Sequence, residues 1–107
     1  MDMHKLFKDL KDVVKNMHGN VAEAEKYAKL AHEWAECRIR SEAYKEMAKG
    51  HVAFNDSLKR VYDKYMQDVA ESGNKEYHEW MSMVFGEWMR DIDHEAAEVH
   101  AMLNKMH

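Results

Sequence analysis

The chain has 107 residues, 46% hydrophobic and 34% charged, with no proline, four glycines and one cysteine. That length predicts a single domain over 1–107 burying roughly 65% of its unfolded surface, and the lack of proline predicts long, uninterrupted helices. One cysteine excludes an internal disulfide or a Cys-based zinc site; no stretch nears the roughly 18 apolar residues of a membrane span, and no apolar segment follows the N-terminus as a signal peptide requires, so a cytoplasmic location is expected.

A first helix is predicted over residues 3–37. Its apolar residues recur at alternating spacings of three and four, through Leu6, Leu10, Val13, Met17, Ala24, Tyr27, Ala31 and Trp34, with Asn20 in the fifth layer. Asn20 followed by Glu23 reads as a capping signal. The phase nevertheless runs straight through His18-Gly19-Asn20, which favours one long helix. The rhythm lapses from Glu36 to Ser41, and Ser41 is expected to cap a second helix over 41–71. The seam of that helix reads Tyr44, Met47, His51, Phe54, Leu58, Val61, Tyr65 and Asp68 or Val69. Glu71-Ser72-Gly73-Asn74 reads as a turn, with Gly73 closing one helix and Asn74 capping the next. The third helix, over 75–107, carries Tyr77, Met81, Val84, Trp88, Ile92, Ala96, Val99, Leu103 and Met106 on its seam. Helices of this length span about 45 Å each. Three of them form a thin all-α bundle with apolar surface left over, so self-association into a four- or six-helix assembly is expected.

The formal net charge of −4 excludes an ordinary nucleic-acid binder, which would be basic. Residues 1–20 carry +1, residues 21–71 carry −1, and residues 72–107 carry the entire deficit. Glu87, Asp91, Asp93, Glu95 and Glu98 lie in that last stretch. They read either as a solvated helix face or as an acidic docking surface for a basic partner. The third helix is also rich in Met and aromatic residues. Trp80, Met81 and Trp88 fall on one face and Met83, Phe85 and Met89 on another, which reads either as core filling or as a surface for association.

Two seam positions are polar. With the first two helices antiparallel, Asn20 and His51 fall a layer or two apart, close enough for a shared polar patch, with Gly50 beside it to allow close helix approach. Such a pair reads as a satisfied core polar element that fixes register, or as a ligand or metal site. Glu87, Asp91, His94 and Glu98 form a second stripe of suitable ligand types, although one helix cannot close a metal site alone. His4, His18, His32, His78, His100 and His107 sit at mostly polar positions. No phosphate loop, nucleophile elbow or His-Glu-x-x-His motif is present, and Cys37 lacks an evident activating base, so no catalysis and no cofactor are expected.

The segments AEKYAKLA (24–31), AYKEMAKGHVAFNDSLKR (43–60) and EAAEVHAMLNKM (95–106) together resemble small ferritin-like, rubrerythrin-related proteins, including those carried by bacteriophages. The resemblance is patchy but covers most of the chain in the right order. It implies a helical bundle whose interior carboxylates and Glu-x-x-His motifs would hold two metal ions. Aligned on these segments, the family's first-helix Glu falls on Asn20, and its second-helix Glu and His fall on His51 and Phe54; the carboxylates are absent. The expectation is therefore a ferritin-like scaffold that binds a protein partner with a basic surface, as a phage or mobile-element accessory acting on a host nucleic-acid-handling defence protein, in the manner of an anti-CRISPR. A ferritin-like metal carrier or oxidase, using Asn20 and His51 or Asp91, His94 and Glu98, is the rival expectation. A purely structural homo-oligomer is the third.

Overall fold

The computed structural model describes residues 2–105. Three helices follow one another: α1 (Met3–Glu33), α2 (Arg38–Glu71) and α3 (Lys75–Asn104). The expected seam residue Met106 and the expected end of α3 at 107 lie outside the described residues.

Local chemistry sets each boundary. Asp2 caps α1, its carboxylate accepting from the backbone N–H groups of His4 (3.1 Å) and Lys5 (3.3 Å). The helix then runs through Gly19-Asn20 unbroken, as its periodicity predicts. It stops at Glu33 and not at residue 37. The N–H of Trp34 still reaches the carbonyl of Leu30, but those of Ala35 and Cys37 bond to His32 and Trp34, three residues back, and the chain tightens into a turn. α2 begins at Arg38, three residues before the expected start, with Cys37 as an N-cap whose side chain makes no capping bond. Ser41 is therefore not the cap. It sits in the first turn of α2, where its hydroxyl donates to the carbonyl of Ala31 at 2.7 Å. That carbonyl belongs to the last turn of α1, which lacks intrahelical partners. The second turn follows expectation: Gly73 takes the left-handed conformation (φ 81°), and the side chain of Asn74 accepts from the N–H of Tyr77 at 3.2 Å.

α1 and α3 run parallel, with α2 antiparallel between them in sequence. Tyr77, at the start of α3, donates its hydroxyl to the carbonyl of Met3 at 2.9 Å, and Phe7 packs on both Trp80 and Phe85. α1 makes its most extensive packing with α2, less with α3, and α2 and α3 touch least. The bundle measures 55 × 18 × 16 Å.

The core is in two parts. Leu6, Leu10, Val14, Met17 and Val21 meet Tyr62, Val69, Met81, Phe85, Met89 and Ile92 at the end nearest the second turn. Ala24, Ala28, Ala48 and Val52 meet Val99 and Leu103 at the other. These lists correct the expected seams. In α1, Val14, Val21 and Ala28 are buried where Val13, Asn20 and Tyr27 were expected, and the latter three flank the interface half-buried. In α2 the shift is larger: the buried row is Ala48, Val52, Asn55, Tyr62 and Val69, while Met47, Phe54 and Val61 are exposed. Two adjacent rows of α2 both repeat at three and four, and the outer one holds the larger apolar residues. At the level of Ala24 and Ala28 the inner row wins because Ala48 and Val52 are small enough to let α2 approach closely.

Candidate functional site

Two places on this scaffold gather polar chemistry. The first lies between the core clusters. The Nδ1 of His51 on α2 is 3.5 Å from the Oδ1 of Asn20 on α1, so the polar patch expected from the seam forms. The imidazole also stacks on Tyr27 (5.7 Å, 8° between planes), and Tyr27 in turn stacks on Tyr44 (6.0 Å, 19°). One turn further along α2, Asn55 is buried, which the sequence reading did not foresee. The Nδ2 of Asn20 and the Oδ1 of Asn55 are buried without protein partners. A donor and an acceptor are thus left open in a layer that interrupts an otherwise apolar core, each a liability of about 1–3 kcal/mol.

The second place is a groove of about 440 Å³ between α1 and α3, lined by Lys15, His18, Trp88, Asp91, Ile92, His94 and Glu95. Ile92 is buried. Trp88 presents an indole that is 45% exposed, and on the same helix Asp91 follows it by one turn and Glu95 by two. Lys15 and His18 form the opposite wall from α1. An exposed indole face beside carboxylates attracts a guanidinium or ammonium group by both quadrupole and charge.

The expected acidic face divides in space. Glu87 and Asp91 are exposed. Asp93 turns toward α2 and meets Lys59 at 3.4 Å, while Glu95 is half-buried in the groove. Glu98 is exposed and pairs with His94 at 3.0 Å. The expected association surface divides as well. Trp80, Met83 and Trp88 are exposed, Met83 to 70%, but Met81, Phe85 and Met89 are buried in the core and take no part in any outer surface. Those three join Leu6, Leu10, Val14 and Met17 of α1 in one core cluster.

Among the described residues no group of three or more His, Cys, Asp or Glu side chains comes together to hold a metal ion. Neither Asn20 with His51 nor Asp91, His94 and Glu98 makes such a group. Cys37 is a free, exposed thiol in the first turn. Among the described residues no helix is long and apolar enough to cross a membrane.

Sequence reasoning missed Lys15 and His18, because they reach the groove only through the α1–α3 pairing. The parallel register that sets Met3 beside Tyr77 also sets them beside the stretch from Trp88 to Glu95, and a single helix wheel contains no trace of it.

Compared with known proteins, the chain matches no family model, no curated protein and no solved structure.

Proposed function

We propose that this chain is a non-catalytic protein-binding module whose partner presents a basic surface. The observation that carries the reading is the half-exposed indole of Trp88 in an open groove that Asp91, one turn on, and Glu95, two turns on, also line. A tryptophan left in water beside carboxylates lowers solubility and gains the fold little. Placed against an arginine or lysine of a partner it becomes an anchor of the kind that dominates protein interfaces. Glu87 and Glu98 extend the negative surface along α3 and would steer a basic partner toward the groove.

The three-helix, ferritin-like scaffold fits this role as a rigid platform, and the resemblance to phage-carried bundles supports an accessory protein of a phage or mobile element. On this reading the partner is a host nucleic-acid-handling defence protein, whose own basic, nucleic-acid-facing surface would be covered by the acidic helix. Apolar residues left outside the core, Phe54 and Met83 among them, support self-association.

Charge reversal tests the docking surface. In E87K/D91K/E95K/E98K, quantitative affinity capture from host lysate should lose at least about nine-tenths of the partner that the wild-type chain retains, with the helical circular dichroism unchanged. Undiminished capture by the reversed variant would contradict the acidic face as the docking surface.

A further inference from the structure

The outer face of α2 contains a pattern that the fold does not use. Met47, Phe54 and Val61 are spaced by seven and are exposed to 44, 56 and 41%. Ala43, Gly50 and Ser57, also spaced by seven and exposed, alternate with them. Large and small residues thus take turns along one stripe at spacings of four and three, the repeat of a helix–helix seam. Gly50 is the least expected of these. A Cβ added there would meet nothing within 4 Å, so nothing inside the chain requires glycine at this position. A glycine in mid-helix is nonetheless unfavourable relative to alanine, and close approach by a body outside the chain would account for it.

We propose that this stripe is a homodimer interface in which two copies of α2 pair antiparallel about a two-fold axis at the level of residue 52. This deepens, and rests on, the self-association proposed above. Residues equidistant from 52 then meet across the axis. Phe54 seats on the partner's Gly50, Met47 on the partner's Ser57, and Val61 on the partner's Ala43, so every large side chain faces a small one. A two-fold axis makes each contact twice, as an isologous interface must.

Charge agrees with this register. The flanking row is centred one residue on, at Ala53, and brings Glu46 opposite the partner's Arg60, with the symmetric pair on the other side. Within one chain Glu46 pairs with Lys49 (3.5 Å) and Arg60 donates to the Ser57 hydroxyl (3.0 Å), both at the surface and readily exchanged. One opposition is between like charges, Lys64 with the partner's Arg40. It falls at the ends of the stripe, where the Arg40 guanidinium is drawn 3.7 Å over the Trp34 ring.

The wild-type chain should sediment at equilibrium near twice 12.7 kDa. Gly50→Leu should weaken the dimer about tenfold or more while the helical signal of the chain is kept, since leucine favours the helix over glycine. Glu46→Arg and Arg60→Glu should each weaken it, and E46R/R60E together should restore it, because the swapped charges meet again across the axis. A chain that stays monomeric at all concentrations would overturn both this interface and the self-association itself. A dimer indifferent to G50L and to the single charge reversals would overturn this face alone, leaving self-association to another surface.

Discussion

Asn55 is buried in the row of α2 that faces the core, with its Oδ1 unpartnered, one turn from His51, which meets Asn20. A buried acceptor without a donor destabilises, and a leucine of similar shape removes it. Asn55→Leu should therefore raise the urea midpoint, by about 1 kcal/mol of unfolding free energy; a fall of that size would show that the amide is satisfied in solution and contributes to the fold. Tyr62 carries a second residue-scale prediction. Burial, and next the neighbouring Asp63, push its phenol above the ordinary value of 10.0. The folded chain holds that proton more tightly than the unfolded one, so the stability it contributes is complete below pH 10 and declines as pH rises toward the folded value. Lys29 shifts the same way, raised chiefly by its hydrogen bond to Glu25, and adds to the alkaline loss as pH passes 10.5. Unfolding measured from pH 8 to 11 should show this decline, and Tyr62→Phe should flatten it. An identical slope in the variant would remove Tyr62 as its source.

At the scale of the helices, the two turns differ in how they are closed. The second turn depends on backbone conformation. Gly73 has φ 81°, so Gly73→Ala should destabilise by about 1 kcal/mol. Gly19 lies within α1 and exposed, with nothing within 4 Å of an added Cβ, so Gly19→Ala should stabilise by about 0.5–1 kcal/mol. Thermal melts of the two variants should shift in opposite directions; a common direction would contradict these assignments. The first turn depends on a side chain, the Ser41 hydroxyl on the Ala31 carbonyl. This contrast explains what was legible. Gly73 and Asn74 act locally, and their chemistry can be read from four consecutive residues. The role of Ser41 needs the return of α2 along α1, so the sequence offered only its capping propensity and placed the helix start three residues late. The α2 seam failed for a related reason. Periodicity identifies that a row is apolar but not which of two apolar rows faces inward. Ala48 and Val52 win over Met47 and Phe54 through the small residues Ala24 and Ala28 opposite them, a fact of pairing and not of α2 itself. Asn20 and His51 were legible because antiparallel pairing from one turn fixes their level by counting.

Over the whole molecule, α1 forms the spine and α3 lies beside it with both ends of its charge pattern in view. The helices were legible in number from the absence of proline and from the seams, while the first turn fell three to four residues from its expected bounds. The groove was not, since Lys15 and His18 join Trp88, Asp91 and Glu95 only through the parallel α1–α3 contact. What remains outside the core falls on two separate surfaces, the outer stripe of α2 and the groove with its acidic rim. A second copy on the first would leave the second open, so assembly and partner binding are compatible on one chain. The central claim is that the groove holds a partner protein, and site-directed photocrosslinking tests it most directly. A benzophenone amino acid placed at position 18, on the α1 wall of the groove with Trp88 left in place, and irradiated in the host cell, should yield a covalent adduct with a protein other than this chain. The same amino acid at exposed position 63 on α2 should not. No adduct at 18, or an adduct equal at both positions, would contradict the groove as the binding site.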